Sequence, residues 1–441
     1  MKVLKFGGTS VGSAERIRAV KDLITKDKER KIVVISAMSG STNSLVEISK
    51  ALFEKNIEKA KQIIGELRQK YDLTWEELFP DKTSLSALKA YETIKYHFSF
   101  LNHIPQYEHN IIKERHILAR GEMITAALLF YHLEDTGFEA ALLNALRFMK
   151  LDENGEADQA FIMLNIQKEI ADYPACDLFI TQGYICADHT GEISNLQRGG
   201  SDYSASLMGA ALDASEIQIW TDIDGMHNND PRIVNRTRPI AELSFDEAAE
   251  LAYFGAKILH PLTVLPAKLK NIPVKLLNTL QPDQAGTVIT YKTIEKAVKA
   301  IAAKDNIIAI KIKSARMLLA YGFLKKIFEV FEKYKKPVDM VTTSEVGVSV
   351  TIDNDIDLDK IVSEISEFGN VEVDKNMTIV CIVGDLMGDT VGYARKIFSS
   401  FETIPIRMIS YGGSRNNVSL LVKSEHKNEV LNTLNETLFD W

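Results

Sequence analysis

Basic residues beside glycine pairs are the first feature of this 441-residue sequence that could do chemistry. Lys5 is followed, after one residue, by Gly7-Gly8 at the end of an apolar run. Glycines let backbone amides approach an anion closely, and the N-terminus of a following helix adds partial positive charge. A lysine at this place would add a full positive charge for phosphate groups. Lys5 could equally be a surface residue before a structural turn, so this run alone leaves both interpretations open.

A second run, Arg198-Gly199-Gly200-Ser201-Asp202, leads into a segment with helical spacing at 203–212. The guanidinium of Arg198 is suited to a bidentate contact with a carboxylate. Asp202 could simply cap the helix that follows it. The arginine at the start of the same run favours a binding role over a cap alone.

Two further runs place charged residues in loops. Trp220-Thr221-Asp222-Ile223-Asp224-Gly225 follows a predicted strand, and Asp230-Pro231-Arg232 closes the loop. This loop could be only a turn, and calcium is disfavoured because no EF-hand ligand series follows. Lys257 lies between two helical patterns in Gly255-Ala256-Lys257-Ile258-Leu259-His260-Pro261, where His260 is expected to be structural since no serine or cysteine nucleophile accompanies it.

An open parallel α/β sheet is the element pattern that would position these loops. Apolar runs at 2–6 and 31–36 end in small-residue loops, and helical spacing lies between them. Further strands are predicted at 140–143, 178–181, 217–221 and 274–277, with helices at 117–133 and 203–212. Ligands of such sheets bind beyond the carboxyl ends of the strands, here the loops at Gly7, Ser36, Gly183 and Asp222. The polar segment 55–115 predicts a helical insertion or lid.

An internal repeat begins near residue 300. Lys326-Ile327-Phe328 matches Lys396-Ile397-Phe398 at an offset of 70, and Val348-Ser349 matches Val418-Ser419 at the same offset. Repeats of about 70 residues are too long for solenoid units. The pattern of strand, glycine turn, helix, strand, hairpin and strand in each copy predicts two small α+β domains in tandem.

Composition excludes several classes of protein. The net charge is −8 without a basic block, which disfavours a nucleic-acid surface. The three cysteines are an odd number, lie far apart in the sequence and form no CxxC motif. This spacing disfavours a disulfide framework or a zinc site and fits a reducing compartment. No apolar run approaches the roughly 18 residues of a membrane span. No two glycines are separated by a single residue, which removes the dinucleotide-binding fingerprint and the protein-kinase glycine loop. A cytoplasmic protein without a membrane partner is expected.

Taken together, these motifs resemble the aspartate kinase family. The resemblance rests on Lys5-Phe6-Gly7-Gly8-Thr9-Ser10, on the runs at 198–202, 220–222 and 230–232, and on Phe254-Gly255-Ala256-Lys257-Ile258-Leu259-His260-Pro261. The tail resembles the family's paired ACT regulatory domains, so the match covers essentially the whole chain. It implies an amino-acid-kinase-type open, mainly parallel sheet between helices over 1–295. Two α+β ACT domains (βαββαβ) would follow, one at 306–375 and one at 298–304 plus 376–441.

The activity that the resemblance implies is ATP-dependent phosphorylation of the β-carboxylate of L-aspartate to 4-phospho-L-aspartate, the first step toward lysine, threonine and methionine. Aspartate is already ionised at neutral pH, so no general base is required. Positioning and positive charge should then supply most of the catalysis. Mg²⁺ would be carried mainly by the ATP phosphates, without a dedicated set of protein ligands.

The resemblance also assigns roles to residues. Lys5 and Asp202 would be catalytic. Substrate would be bound by Ser36, Thr42, Glu122, Arg198, Gly199, Gly200 and Ser201, with Arg198 on the α-carboxylate and Glu122 on the ammonium. The nucleotide would be bound by Lys5, Gly7, Gly8, Ser10, Thr221, Asp222, His227, Arg232, Lys257 and Ile258. The family usually has tyrosine where His227 stands, which puts that one contact in doubt.

Regulation is expected at the first ACT domain. The implied effector residues are Met317, Ala320, Gly322, Phe323, Leu324, Asp339, Thr343, Ser344 and Glu345. Two acids there favour L-lysine over L-threonine as the effector, although they could be only solvated strand-end charges. A homodimer through the ACT domains, or a tetramer, is implied.

Two other functions stay open at this point: another amino-acid kinase, of the glutamate or N-acetylglutamate type, and a non-catalytic amino-acid sensor. Without a GxGxxG motif a fused nicotinamide-dependent dehydrogenase is not expected, so the enzyme should be monofunctional.

Overall fold

The computed structural model describes residues 1–104, 109–196, 199–255, 261–291, 298–314, 317, 321–385 and 392–439. Contacts divide the chain into two compact units. The first comprises Met1–Met226, Ala241–Phe245 and Leu259–Lys292, and the second comprises His227–Ile240, Asp246–Ile258 and Thr293–Trp441. Among the described residues, no helix has both the length and the apolar character that a membrane span requires.

The described part of the first unit is built on an eight-stranded sheet and a two-stranded ribbon. Their strands are β1 (Lys2–Phe6), β2 (Lys31–Ile35), β3 (Ala141–Leu142), β4 (Leu178–Gln182), β5 (Ile185–Ala187), β6 (Ile193–Asn195), β7 (Glu216–Thr221), β8 (Glu242–Ser244), β9 (Val274–Asn278) and β10 (Thr287–Thr290). The large sheet has the order β3-β4-β2-β1-β7-β9-β10-β8, and β5 pairs with β6.

Neighbouring strands from β3 to β9 run parallel, and β10 is antiparallel to β9. The strands predicted at 2–6, 31–36, 178–181, 217–221 and 274–277 are confirmed, while the one at 140–143 shortens to two residues. All five residues of β2 and of β4 are buried, as expected for strands covered on both faces. The carboxyl ends of β4, β2, β1 and β7 therefore lie side by side at one edge of the sheet.

Helices connect these strands. They are α1 (Ala14–Thr25), α2 (Ser41–Phe53), α3 (Ile57–Leu78), α4 (Leu85–His103), α5 (Ile111–Leu118), α6 (Arg120–Asp135), α7 (Gln159–Ala171), α8 (Gly200–Ala211), α9 (Phe245–Tyr253) and α10 (Pro261–Lys270). The helix predicted at 117–133 is in fact two helices, α5 and α6, that meet at Ala119. The helix predicted from Tyr203 begins three residues earlier, at Gly200.

The segment predicted as a helical insertion contains α3 and α4, which pack on each other, on α2 and on α6. Their apolar faces contribute Trp75, Phe79 and Phe98 to the large core of the first unit. These helices are thus continuous with the core. Their role as a lid stays a prediction.

The described part of the second unit is built on a six-stranded antiparallel sheet. Its elements are β11 (Val298–Lys313), α11 (Phe323–Lys333), β12 (Val341–Ser344), β13 (Gly347–Ile352), α12 (Leu358–Ser366), β14 (Asn370–Gly384), α13 (Tyr393–Ser399), β15 (Met408–Tyr411), β16 (Asn417–Lys423) and α14 (Lys427–Leu438). The strand order β12-β13-β11-β14-β16-β15 places the two long strands at the centre. The sequence repeat is confirmed, since α13 and β16 repeat α11 and β13 at an offset of 70.

Each long strand serves two hydrophobic cores. Val298 and Ile301 of β11 pack with Val380 and Ile382 of β14 in one cluster, whereas the end of β11 from Ile308 to Ile312 packs with α11 and α12 in the other. Asn306 and Asn376 adopt left-handed backbone conformations, with φ of 61° and 57°, between the two halves of each strand. The domain boundaries inferred from the sequence stay a prediction.

Candidate active site

A cavity of about 290 Å³ opens at the carboxyl edge of β1, β2 and β4. Loops that follow these strands and the first turns of three helices, α2, α6 and α8, surround it. Its lining consists of Lys5, Gly8, Ser36, Ala37, Met38, Ser39, Gly40, Thr42, Glu122, Tyr184, Gly199, Gly200, Ser201 and Asp202. Segments far apart in the sequence therefore meet where ligands of parallel sheets bind.

An ion pair lies at the floor of this cavity. Lys5 Nζ is 2.7 Å from Asp202 Oδ1, and the two side chains are only 12 % and 14 % exposed. The backbone fixes both partners, because Lys5 belongs to the central strand β1 and Asp202 to the first turn of α8. The ammonium of Lys5 is thus held at a defined point beside the cavity.

The N-termini of two helices, α2 and α8, face the same cavity. Gly40 precedes α2 and Gly199 precedes α8, both in the left-handed conformation, with φ of 79° and 82°. No side chain caps either helix. Uncapped N-terminal amides carry partial positive charge and are suited to bind anions. The cavity therefore combines the Lys5 ammonium with two anion-attracting helix ends.

Close contacts between the loops require glycine at several positions. A Cβ on Gly8 would lie 2.7 Å from the carbonyl oxygen of Ala37, and one on Gly200 would lie 2.5 Å from Tyr184 Cδ2. Gly183 approaches Ser201 equally closely, at 2.7 Å from its Oγ. These glycines let the loops pack directly on one another.

Glu122 is the second carboxylate of the cavity. It lies in the first turn of α6, where Gly121 packs so closely on Ala37 that a Cβ would meet the alanine Cβ at 2.6 Å. Its side chain is buried, and Oε2 has no hydrogen-bond partner. Burial raises the pKa of Glu122 to about 8, although backbone hydrogen bonds and the charge of Lys5 act in the opposite direction. A cation that entered the cavity would find here an acceptor without a partner.

Comparison with known proteins gives a family for this architecture. The amino acid kinase family matches residues 1–278, and an ACT domain matches residues 380–438. The lysine-sensitive aspartokinase 3 of Escherichia coli is 32 % identical over 462 residues, which cover 99 % of each chain. The chain belongs to the aspartokinase family.

Solved structures agree over the whole length of this aspartokinase-family chain. E. coli aspartokinase III in complex with aspartate and ADP, in the R-state, matches with a TM-score of 0.87 and 30 % identity, and covers all of both chains. The same protein in complex with lysine and aspartate, in the T-state, matches with a TM-score of 0.80. The fold class expected from the sequence, a mainly parallel sheet between helices followed by α+β ACT domains, is confirmed.

Most of the catalytic and substrate residues that the resemblance implied come together in the cavity. They are Lys5, Ser36, Thr42, Glu122, Gly199, Gly200, Ser201 and Asp202, and Gly8, which the resemblance implied for the nucleotide, lines the cavity with them. Gly7 lies beside them, with its Cβ position 3.6 Å from Lys5 Nζ. Arg198 lies outside the described residues. The individual roles stay predictions.

Ser10 does not line the cavity. Its buried hydroxyl lies 2.6 Å from Thr279 Oγ1, so in this structure it joins two loops of the first unit. The other implied nucleotide residues are divided between the units. Thr221 and Asp222 follow β7 in the first unit, where the Thr221 hydroxyl donates to Asp222 Oδ1 at 3.1 Å.

His227 and Arg232 belong to the second unit. Nδ1 of His227 is 3.0 Å from Thr237 Oγ1, and the guanidinium of Arg232 makes two hydrogen bonds to Asp230, of 2.9 and 2.7 Å. Arg232 lowers the pKa of Asp230 by this contact. Lys257 and Ile258 lie outside the described residues.

The implied effector residues that the structure describes differ in burial. The Asp339 side chain is only 2 % exposed and pairs with Lys304 at 2.8 Å, whereas Thr343, Ser344 and Glu345 are exposed. Gly322 adopts a left-handed φ of 80° before α11, whose first residues are Phe323 and Leu324. Met317 belongs to a short 3₁₀ turn, and Ala320 lies outside the described residues.

Several residues at the cavity carried no signal in the sequence. Lys70 of α3 donates a hydrogen bond to the carbonyl oxygen of Ser39, and burial lowers the pKa of this lysine. Tyr71, on the same helix, donates to Ser41 Oγ at 3.2 Å behind the loop. The helical insertion thus holds the second loop of the cavity from outside, and only the folded structure brings these segments together.

Proposed function

We propose that this protein is an aspartate kinase, which transfers the γ-phosphoryl group of ATP to the β-carboxylate of L-aspartate. The products are ADP and 4-phospho-L-aspartate, the first intermediate toward lysine, threonine and methionine. The observation that carries the proposal is the cavity in which the Lys5 ammonium and the N-termini of α2 and α8 converge. Full-length similarity to aspartokinases supports the choice of substrate.

The reaction needs no proton transfer at the acceptor. One oxygen of the aspartate β-carboxylate attacks the γ-phosphorus while the bond to the β,γ-bridging oxygen breaks, and that oxygen leaves as part of ADP. Aspartate reacts as the carboxylate that it already is at neutral pH. What the protein must supply is positive charge and alignment for two anions, which is the usual basis of catalysis in phosphoryl transfer.

Lys5 supplies the main charge in this scheme. Its ammonium would neutralise negative charge on the transferring phosphoryl group, and Asp202 would act as a positioning residue that holds the ammonium at 2.7 Å. The amides of Gly200 and Ser201 lie at the same helix end and would bind phosphoryl oxygens. Pre-arranged charges of this kind need no reorganisation during the reaction.

Aspartate itself would be held at both its charged groups. The unpartnered Glu122 oxygen is suited to the α-ammonium, and Arg198 would bind the α-carboxylate. Hydroxyls of Ser36 and Thr42 line the same cavity and would orient substrate or phosphate. Glu122 therefore selects an acceptor that carries a free amino group.

The family resemblance supports nucleotide binding by Lys5, Gly7, Gly8, Ser10, Thr221, Asp222, His227, Arg232, Lys257 and Ile258. In the described part of the chain, no three histidine, cysteine, aspartate or glutamate side chains are placed to hold a metal ion. Mg²⁺, which neutralises phosphate charge when bound, keeps several waters and substrate phosphates as ligands in many such sites. We propose that Mg²⁺ is carried mainly by the ATP phosphates.

Trapping the acyl phosphate with hydroxylamine tests the proposal. The full chain with ATP, Mg²⁺ and L-aspartate should form aspartyl hydroxamate, and L-glutamate should give much less product. Equal or faster turnover of glutamate would assign the protein to the glutamate-type kinases instead. If no amino acid supports consumption of ATP, the result would favour a non-catalytic sensor.

Feedback control by L-lysine is the regulatory part of the proposal. Glu345 and Asp339 of the first ACT repeat are the acids expected to face a cationic effector, and inhibition would arise from unequal binding to two states. L-lysine at millimolar concentration should inhibit, and Glu345→Ala should weaken the inhibition without lowering the uninhibited rate. Inhibition by L-threonine but not L-lysine would refute this assignment. The homodimer through the ACT domains is tested by light scattering.

A further inference from the structure

A second cavity, of about 250 Å³, lies wholly within the second unit. The end of α9, the segment before β12, and the hairpin between β15 and β16 enclose it. Its lining consists of Glu250, Tyr253, Phe254, Asp339, Met340, Ser410, Gly413, Ser414, Asn417 and Ser419. The volume is below the roughly 300–1,000 Å³ of sites for drug-sized ligands, so it suits a smaller molecule.

The charged residues that line this cavity are both acidic. Glu250 and Asp339 contribute carboxylates, and the lining described contains no lysine, arginine or histidine. The Glu250 carboxylate accepts hydrogen bonds from Ser414 Oγ at 2.8 Å and Asn417 Nδ2 at 2.5 Å. These neutral donors fix the carboxylate in place, and no ion pair to Glu250 occurs among the residues that the structure describes.

Asp339 adds an acceptor that the protein leaves unsatisfied. Its Oδ1 accepts from Lys304 Nζ at 2.8 Å and from the Tyr253 hydroxyl at 2.5 Å. Its Oδ2 is buried and has no hydrogen-bond partner, although the side chain is only 2 % exposed. Buried polar atoms are seldom left without a partner, so this oxygen points to a ligand that donates a hydrogen bond.

The walls distinguish between an organic cation and a metal ion. Two carboxylates with serine hydroxyls fall short of the ligand set of a divalent metal, and no group of three metal-binding side chains occurs among the residues that the structure describes. Phe254 and Met340 are almost fully buried and form apolar walls beside the acids. Apolar walls suit methylene groups, which a bare ion does not have.

We infer that this cavity binds a small organic cation whose primary ammonium group is held by Asp339 Oδ2 and Glu250. The cavity shares only Asp339 with the effector residues implied by the family resemblance, since Thr343, Ser344 and Glu345 do not line it. Any effect of a bound amine on the rate of phosphoryl transfer rests on the proposed function. Glu250, Tyr253 and Phe254 lie shortly before Lys257, so an occupant would contact the segment that leads to a proposed nucleotide residue.

Isothermal titration calorimetry on the full chain tests the inference with 1,5-diaminopentane as the probe. The matched neutral compound 1,5-pentanediol has the same carbon chain without the charge. The diamine should bind, the diol should not, and Asp339→Asn and Glu250→Gln should each weaken the diamine at least tenfold. No binding of the diamine, or equal binding of the diol, would overturn the inference.

Three further variants locate the bound amine. Gly413 lines the cavity at an open position, where the nearest atom to an added Cβ is Ser410 Oγ at 4.0 Å, so Gly413→Leu should block binding without straining the fold. Glu402→Gln alters an exposed acid that belongs neither to the cavity nor to the proposed effector residues, and it should leave the diamine affinity unchanged. Glu345→Gln reports whether the amine binds at the proposed effector residues instead. Loss of binding in Glu345→Gln, with binding retained in Gly413→Leu and Glu250→Gln, would place the amine elsewhere and overturn the inference. Because calorimetry does not depend on turnover, its outcome is separate from the hydroxamate test of the proposed function.

Discussion

The two cavities are similar in volume and differ in the charges that line them. The proposed catalytic cavity of about 290 Å³ holds the Lys5–Asp202 ion pair, the Glu122 carboxyl and the N-termini of α2 and α8, which attract anions. The cavity of about 250 Å³ in the second unit holds Glu250 and Asp339, which attract a cation. The first combines groups of both signs, as a zwitterionic amino acid beside a phosphate requires, and the second offers only acids.

The difference also lies in how each cavity obtains its charge. In the proposed catalytic cavity, Gly8, Gly40, Gly199 and Gly200 bring backbone close to the site beside the side chains of Lys5 and Asp202. In the second cavity the polar groups are side chains from three distant segments, including Glu250 and Asp339. Backbone sites depend on conformation and therefore on glycine, whereas side-chain sites depend on tertiary packing. Variants that alter single charges should separate the two.

Lys5→Ala should give the largest effect on catalysis. Removing one pre-arranged charge of this kind typically lowers kcat by about 10²–10³-fold. Steady-state hydroxamate assays at saturating ATP and aspartate measure it. The matched control is Lys2→Ala on the same strand. Lys2 does not line the cavity, and its Nζ lies 2.5 Å from Glu29 Oε2. A near wild-type kcat for Lys5→Ala, with circular dichroism unchanged, would remove Lys5 from the mechanism.

The catalytic cavity was largely predictable from sequence. Glycine runs at Gly7-Gly8 and Gly199-Gly200 mark close backbone approaches, and each follows or precedes an element with clear periodicity. Strand ends of a parallel sheet converge at one edge, which is why Lys5 and Asp202 could be expected together. The ends of the helices were harder to predict. Helical spacing in the sequence continues across Ala119, although α5 ends before it and α6 begins after it.

The second cavity could not be predicted in this way. Glu250, Asp339 and Ser414 lie on three segments that only the folded chain brings together, and none carries a local pattern. Asp339 was expected to be an effector residue with Glu345, but no rule of spacing indicates that its side chain is buried against Lys304 and Tyr253. Lys70 was missed for the same reason, because an amphipathic helix gives no indication of the loop that it contacts.

Lys304→Ala should have the next largest effect, on stability. It leaves the buried Asp339 carboxylate without its cation, and breaking a mostly buried pair costs about 1–3 kcal/mol of the free energy of unfolding when the lysine is partly exposed. Urea unfolding measures it. Methylammonium at high concentration should restore part of the loss by entering the cavity beside Asp339.

The control for this rescue is Lys333→Ala, which removes a more exposed partner of Glu364 at 2.6 Å and should be insensitive to methylammonium. Tetramethylammonium, which has no N–H donor, should not rescue Lys304→Ala either. Equal stabilisation by both cations would indicate a general salt effect and would contradict the description of this cavity as a hydrogen-bonding cation site.

Glu122 gives the catalytic cavity a pH dependence of predictable sign. With a pKa of about 8, this carboxyl is mostly protonated at pH 7 and ionises as the pH rises. Only the ionised form pairs with the aspartate ammonium, so KM for aspartate should fall by roughly tenfold between pH 7 and pH 8.5. A profile of kcat/KM against pH checks this.

Glu122→Gln should raise KM and remove this pH dependence, whereas Glu134→Gln, at an exposed site on the same helix, should do neither. Stability moves in the opposite direction. The folded-state pKa lies above the usual value of 4.5, so the folded protein binds the extra proton between pH 4.5 and 8, and wild-type stability should fall as the pH rises through that window. A KM that stays flat with pH in the wild type would contradict the assignment of Glu122 to the ammonium.

Lys70→Met should have the smallest effect. Lys70 donates to the Ser39 carbonyl oxygen and its Nζ lies 3.8 Å from the Cβ position of Gly40, beside the N-terminus of α2. It does not line the cavity, so it acts through the loop, and losing one hydrogen bond at a partly exposed site costs about 0.5–1.5 kcal/mol. A more mobile loop would bind substrate less well, so KM for aspartate should rise a few-fold with kcat nearly unchanged. Lys70→Arg should restore KM, since a guanidinium can donate the same bond. Lys61→Met, on the exposed face of the same helix, is the control.

A different outcome would contradict this prediction. If Lys70→Met lowered kcat as strongly as Lys5→Ala, the positive charge of the insertion would act on the phosphoryl group itself. The catalytic cavity would then draw positive charge from Lys70 as well as from Lys5 and the helix ends, and the description of Lys70 as a residue that acts through the loop would be wrong.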